Sequence, residues 1–269
     1  DGIHFQHHGA PVLYPGGDEW TDFDAPGGCE DPRVCMTEDG LYVMTYTSWN
    51  HKLARLSVAT SRDLVHWTKH GPIFSDEHKS QLSKGYSKSG SIVTEIKNGR
   101  QVIARINGKY MMYWGENFVN IATSDDLIHW TPMLAPDGKL LHVMDTRKGY
   151  FDSQLVECGP PAIKTKKGIM LFYNGKNRGG DNGDRRFASG AYCAGQAIFS
   201  LKDPTKLIAR LDEPFFYPQD SFEKSGQYPS GTVFIEGLVP FKDKWFLYYG
   251  CADSFVGVAV YDPSKANKR

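Results

Sequence analysis

Apolar residues in this chain recur in short runs at strand spacing, and no helical period is sustained over a helix's length. A turn followed by an aromatic strand appears repeatedly. The copies are Gly40-Leu41-Tyr42-Val43-Met44-Thr45-Tyr46, Gly108-Lys109-Tyr110-Met111-Met112-Tyr113-Trp114, Gly168-Ile169-Met170-Leu171-Phe172-Tyr173 and Lys244-Trp245-Phe246-Leu247-Tyr248-Tyr249. Before each turn lies another β run, such as Val102-Ile103-Ala104-Arg105-Ile106 ahead of Asn107-Gly108. Asn-Gly is a strong hairpin signal because both residues accept positive φ. Lys167-Gly168 and Asp243-Lys244 hold the same place in their repeats.

A second signature closes each unit. Ser61-Arg62-Asp63-Leu64-Val65-His66-Trp67 returns as Ser124-Asp125-Asp126-Leu127-Ile128-His129-Trp130, each after a short β run. Asp1-Gly2-Ile3-His4-Phe5 is a third copy, Ile198-Phe199-Ser200-Leu201-Lys202-Asp203-Pro204 a degenerate fourth, and Val258-Ala259-Val260-Tyr261-Asp262-Pro263 ends the series. Antiparallel units of roughly 60 residues repeated radially predict an all-β protein, a β-propeller of about five blades. A sandwich does not repeat a signature at this period. Residues 1–269 are read as one propeller domain. The Asp1 segment should end a repeat whose inner strands precede residue 1, so the first blade is expected to be incomplete. Trp67 and Trp130 are expected to pack between blades, with His66 and His129 satisfying backbone groups.

Composition narrows the partners. Lys plus Arg (31) balance Asp plus Glu (31), which argues against a nucleic acid or an anionic membrane surface. The 14 Tyr, 15 Phe and 6 Trp suit strands and also suit stacking on pyranose rings. The cysteines at 29, 35, 158, 193 and 251 form no CxxC pair and no Cys/His ligand spacing, so no metal or cofactor is expected. Cys29–Cys35 is the one candidate disulfide. No signal peptide is visible and no apolar run approaches the length of a membrane span.

Glu30-Asp31-Pro32-Arg33 stands directly before a strand-like run. Alone it reads as a turn with a surface ion pair. Propellers, however, place functional residues at one end, near the inner strands. Corresponding positions in later repeats hold Trp114-Gly115-Glu116-Asn117, the segment from Asp152 through Glu157 to Pro161, Tyr173-Asn174-Gly175, Glu236-Gly237 and Tyr249-Gly250-Cys251-Ala252-Asp253. Burying carboxylates in apolar strands is costly unless they are paired or functional. Several converging carboxylates point to glycosidic-bond chemistry, which uses two carboxyl groups. The competing reading is a solvated channel with ion pairs to Arg33, Arg105 and Lys109.

Together these motifs resemble glycoside hydrolase family 130, whose β-mannoside phosphorylases and β-mannosidases share a five-bladed propeller. The resemblance covers nearly the whole chain in the family's order. It implies that Asp31 is the general acid, relaying its proton through the mannose 3-hydroxyl, and that Asp253 holds mannose in the −1 subsite. Phosphorylases of the family line their phosphate site with an Arg, a Lys and a His. Here Glu116 stands where the Arg is expected, Gln154-Leu155 replaces the Lys region with Glu157 added, and Asn174 replaces the His. Two carboxylates repel a phosphate dianion and suit a water molecule. This pattern resembles the hydrolytic β-1,2-mannosidases.

The expectation is an exo-acting, inverting β-mannosidase on a β-mannoside oligosaccharide or glycan. Glu116 and Glu157 hold and activate water, and which of them is the base stays open. Adjacent carboxylates of this kind raise one pKa. Acid and base should stand roughly 6.5–9.5 Å apart, further with a relay. Arg33, Arg105, Asn117, Asp152, Tyr173, Asn174 and Asp253 are the expected substrate contacts. Glu223 and Glu236 are weaker candidates, for aglycone contacts or structure, and Tyr46, Trp49, Trp114 and Tyr173 are candidates for a sugar-facing wall. The alternatives are a mannoside phosphorylase and a non-catalytic glycan-binding propeller; arabinan- or xylan-acting glycosidases rank lower. The bacterial periplasm or cell envelope is the expected compartment rather than the cytoplasm. Oligomeric state is left unassigned.

Overall fold

The computed structural model describes residues 1–74 and 85–266. Among these, the strands form four antiparallel meanders. The first runs in sequential order through β1 (Gly28–Met36), β2 (Tyr42–Trp49), β3 (Ala54–Ser61) and β4 (Trp67–Pro72). The second is built from β5 (Gly90–Lys97), β6 (Arg100–Ile103), β7 (Arg105–Ile106), β8 (Lys109–Trp114), β9 (Val119–Ser124) and β10 (Thr131–Pro132), with β11 (His142–Met144) added on β9. The third has β12 (Leu155–Cys158) and β13 (Ala162–Thr165) both paired with β14 (Gly168–Lys176), followed by β15 (Tyr192–Phe199) and β16 (Leu207–Arg210). The fourth is β17 (Val233–Phe241), β18 (Lys244–Cys251) and β19 (Phe255–Tyr261). A short parallel pairing of Ala162 with Val93 and Ile163 with Thr94 ties the third meander to the second.

The aromatic strands β8 and β14 are apolar on both faces because each is sandwiched between neighbouring sheets. In β8, Met111 and Tyr113 enter a core shared with Val156, Leu171 and Phe199, while Met112 and Trp114 enter one shared with Val43, Leu56 and Val58. In β14, Leu171 and Tyr173 face the second meander, and Phe172 joins Val233, Ile235 and Leu247 of the fourth. Alternation of period two thus sends successive side chains into different cores. Three cores between four consecutive meanders make an all-β, propeller-like arrangement. Two four-residue helices, Thr21–Asp24 and Pro263–Ala266, lie outside it. No helix among the described residues is long and apolar enough to cross a membrane.

The Asn107-Gly108 turn forms where the sequence places it, and the last one falls a residue earlier than Asp243-Lys244. Asn107 (φ 51°) and Gly108 (φ 84°) turn the chain into β8, and Lys242 (φ 48°) and Asp243 (φ 60°) turn it into β18. The run 102–106 is not one strand. It divides at Ala104, whose N–H donates to Val93 O (3.0 Å), so that β6 pairs with β5 and β7 with β8. All five cysteines are free, which removes the Cys29–Cys35 bridge.

The repeated Ser-x-Asp-Leu-x-His-Trp motif is a self-capped turn. Asp126 Oδ1 accepts from the N–H groups of Ile128 (2.9 Å) and His129 (2.8 Å), and its Oδ2 meets His129 Nδ1 at 2.7 Å. Asp63 makes the same contacts with Val65 and His66, and Asp1 with Ile3 and His4. Leu64, Leu127 and Gly2 take the left-handed position in their copies. The histidines therefore serve the turn's own aspartate rather than backbone groups. Trp130 enters the core between the first two meanders, and Trp67 packs on the outer face of the first. The Asp1 turn docks on the fourth meander, where Tyr248 Oη donates to Gly2 O (2.8 Å).

Asp126→Ala removes three partners from its turn. The expected loss is roughly 1–2 kcal/mol of stability, read as a lower urea midpoint at unchanged denaturant slope.

Candidate active site

A cluster of acidic side chains gathers where the four meanders meet. Asp31 stands in a β-bulge of β1, between Glu30 and Arg33, with φ 51°. The bulge and the left-handed backbone aim its carboxylate off the regular strand pattern. Its Oδ2 lies 3.5 Å from Lys88 Nζ, in the segment leading into β5. Glu116 follows the end of β8. Gly115 precedes it at φ 124°, and a side chain there would meet Phe118 O at 2.3 Å, so glycine alone fits. Gly115 N–H donates to Lys88 O (3.0 Å) and Cys158 N–H donates to Gly115 O (3.3 Å). Glu116 and Glu157 are thereby brought into an antiparallel bridge between the second and third meanders. Glu236 occupies a second bulge, in β17, and Asp253 (φ 52°) the turn between β18 and β19.

Burial sets the electrostatics. Glu157 is 2% exposed. Burial raises its pKa from 4.5 to about 7; Glu116 and Asp31 add to the rise, while Lys88 and Arg33 oppose it. Burial also raises Glu236, whose Oε1 is buried 3.8 Å from Arg33 Nη1. Glu30 and Asp253 are raised too, first by burial and then by Asp31. Burial alone would lower Lys88, but Asp31, Glu157, Glu116 and Glu30 outweigh it and hold the ammonium charged. Six carboxylates, Glu30, Asp31, Glu116, Glu157, Glu236 and Asp253, thus share the field of three cations, Lys88, Arg33 and Lys176.

The walls are aromatic. Tyr192 lies in the field of Glu157, Glu116 and Asp253. It packs edge-on against Tyr228 and Phe234, with Lys176 Nζ 5.0 Å from its ring. Trp49 is cross-strand from Gly28, two positions from Glu30, and packs beside His51 and the exposed Tyr86. Tyr46, Trp114 and Tyr173 are fully buried in the cores and form no open wall.

Of the residues singled out from the sequence, Asp31, Arg33, Glu116, Glu157 and Asp253 come together. Arg33 is a buried tie rather than an open ligand. It donates to Asp31 O (2.7 Å), Cys158 O (3.0 Å) and Gly159 O (3.0 Å), fastening β1 to the end of β12. Asn117 is exposed in the turn after Glu116, at φ 74°. Others lie elsewhere. Arg105 covers the Tyr110 ring at 3.9 Å and donates to Gly108 O, about 13 Å along β8 from Trp114. Asp152 is buried under Arg147 (2.9 Å), Arg210 (2.5 Å) and Tyr173 Oη (2.8 Å), and this network pins β14 to β16. Asn174 exchanges hydrogen bonds with Ile235 N (2.8 Å) and O (3.1 Å), stitching β14 to β17. Glu223 accepts from Gln219 N (2.6 Å), Asp220 N (2.9 Å) and Tyr249 Oη (2.9 Å), a local cap. Sequence reasoning missed Lys88, Ser89, Tyr192 and Lys176. For the Lys88-Ser89 pair a signal existed: it precedes β5 as Glu30-Asp31 begins β1.

An acidic, aromatic-walled site at the hub of an all-β, propeller-like fold defines an enzyme acting on carbohydrates. Residues 1–265 match the family described as beta-1,4-mannooligosaccharide phosphorylase, glycoside hydrolase family 130. The chain is 32% identical to the 1,2-beta-oligomannan phosphorylase of Thermoanaerobacter sp. over 97% of its own length and 76% of that protein's. It shares 59% identity and a TM-score of 0.96 with a structure described as "The GH130 family of mannoside phosphorylases contains glycoside hydrolases that target beta-1,2 mannosidic linkages in Candida mannan", covering 98% of this chain and 73% of that one. A glycosyl hydrolase from Bacteroides ovatus gives 61% identity and a TM-score of 0.95, with 98% and 73% covered. The chain belongs to glycoside hydrolase family 130, an enzyme family acting on mannosides.

Asn174→Ala leaves Ile235 N and O unpaired in the core, so a loss of roughly 2–5 kcal/mol in stability is expected. Thermal unfolding together with KM separates this from ligand loss, because a substrate contact would raise KM at unchanged stability. Glu157 is raised in the folded state, so its contribution to stability is full below about pH 4.5 and is lost as pH rises through about 7. The Tm of Glu157→Gln relative to the unsubstituted protein should therefore climb between pH 5 and 8; a constant difference contradicts the shift.

Proposed function

We propose that this enzyme is an exo-acting, inverting β-mannosidase hydrolysing β-1,2-linked mannosides. The observation that supports the reading is the backbone bridge between Glu116 and Glu157, whose carboxylates lie in one another's field, where a phosphorolytic site would call for cations. A unit-charge repulsion at ~4 Å costs about 4 kcal/mol at an effective dielectric of ~20. A phosphate dianion would meet this at any ionised glutamate of the pair, with Lys88 already shared among Asp31, Glu157, Glu116 and Glu30. A neutral water molecule meets no such barrier and gains two acceptors.

In this mechanism water lies between Glu116 and Glu157 on one face of the −1 mannose. One glutamate takes a water proton as the oxygen attacks the anomeric carbon. Asp31, across the pocket, gives its proton to the mannose 3-hydroxyl, whose own proton passes to the glycosidic oxygen as that bond breaks. Single displacement inverts the anomeric centre. Arg33 closes the floor by tying β1 to Cys158 O and Gly159 O, consistent with release of one terminal residue at a time. Asp253 is positioned to bind the mannose, and Trp49 and Tyr86 to meet the aglycone at the rim. The five-bladed reading accompanies this: four meanders are supplemented by the Asp1 turn, which docks on β18.

The likeness supports the same direction. Structural neighbours near 60% identity are described as hydrolases, whereas the phosphorylase relative is at 32%. That relative and the family's description favour mannoside phosphorolysis as the second reading.

Proton NMR of β-1,2-mannobiose turnover, with and without inorganic phosphate, decides between them. Hydrolysis releases α-mannose first at a phosphate-independent rate; mannose 1-phosphate formed only with phosphate establishes the second reading. Glu116→Gln and Glu157→Gln should each lower kcat by at least about 100-fold. Unchanged turnover in both removes the proposed water site.

A further inference from the structure

Ser89 stands one residue after Lys88 and is completely buried. Its φ of 58° places it in the left-handed region, which serine rarely occupies. Its Oγ–H donates to Glu157 Oε1, from the second meander across to the third. A hydroxyl has one proton to give, and this one is committed to the carboxylate. The same short segment carries Lys88 Nζ to Asp31 and accepts the Gly115 N–H on Lys88 O. Consecutive residues therefore touch the carboxylate on the acid side and the carboxylate on the water side.

We infer that Ser89 is a positioning residue, whose hydroxyl fixes one oxygen of Glu157 and leaves the other turned to the water shared with Glu116. The inference rests on the hydrolytic reading for its catalytic consequence, but the contact stands on geometry alone. Glu157 would otherwise be free to rotate toward Lys88 or Arg33, the cations that face it. A carboxylate displaced by even an ångström loses its aim at a nucleophile. The unusual backbone fits this role: it turns the Ser89 side chain toward Glu157 just before β5 begins.

Ser89→Gly and Ser89→Ala test it together. Glycine accepts the left-handed backbone and removes the whole hydroxymethyl group; alanine removes only the hydroxyl and keeps the strain. On β-1,2-mannobiose both variants should lose roughly 10- to 100-fold in kcat with KM changed by less than about threefold. Carbon-13 carboxyl NMR, assigned by comparison with Glu157→Gln, gives a readout independent of activity. Loss of a donor to the charged form should move the Glu157 titration upward in both variants, against the background of Lys88, Arg33, Asp31 and Glu116. Wild-type kcat with an unmoved Glu157 titration in the glycine variant overturns the assignment. A loss confined to the alanine variant, with a lowered Tm, also overturns it, because backbone strain alone then explains the effect. If the unsubstituted enzyme fails to hydrolyse the disaccharide while the Glu157 titration still moves, the hydrolytic reading fails and the positioning contact stands.

Discussion

The hub of this molecule answers to one constraint: a buried carboxylate stands among other carboxylates. Glu157 is buried beside Glu116, with Asp31 and Glu236 in the same field. Such a group is tolerated only where donors and opposite charges compensate it. Lys88, Arg33 and the Ser89 hydroxyl supply that compensation from two separate segments. Lys88 and Ser89 lead into β5, Arg33 comes from β1, and the groups they serve stand on β1, β12 and β17. The charges at the hub and the association of the meanders are one problem with one solution.

The sheets make that association rigid. The strands β8 and β14 each feed two cores, so β8 cannot shift without disturbing both the Met111–Tyr113 side and the Met112–Trp114 side. Polar ties cross the same boundaries. Asn174 reaches Ile235, and Arg33 reaches Cys158 and Gly159, while Arg210 and Asp152 brace the third meander from within. Buried polar groups of this kind are satisfied completely or are very costly. The outcome is an acidic cluster whose members Asp31, Glu116 and Glu157 sit on three different meanders, with their separation set by interlocked backbones.

Legibility in the sequence followed the range of the interactions. The Asn107-Gly108 hairpin and the recurrence of the motif at Asp1, Asp63 and Asp126 are encoded within a few residues, and they were readable; the last hairpin was placed one residue late and the capping by aspartate was not read. The aromatic strands were readable as strands, though the division of 102–106 at Ala104 was not, because it depends on the partner Val93. The motif likeness led directly to Asp31, Glu116, Glu157 and Asp253. It also drew in Asp152, Tyr173 and Asn174, which stand beside the motifs but point into neighbouring sheets. Arg105 looked like a spare cation for the acidic cluster and instead covers Tyr110 at the far end of its hairpin.

By itself, then, the sequence determined the strand pattern, the repeat, the turn chemistry and the set of acidic residues from which a site could be built. Those properties reside in nearest neighbours and in period-two alternation, which survive in a linear string. Only the tertiary structure decided which polar ends face the shared pocket and which face a neighbouring backbone. Asn174 and Glu157 are directly paired across β14 and β12, yet one ties down Ile235 and the other meets Glu116. Opposite assignments for paired residues follow from the side on which the next meander packs, a contact between residues far apart in the chain. The same long-range packing brought Lys88 and Ser89 to the acidic cluster, where one sets the charge balance and the other holds the buried carboxylate in place.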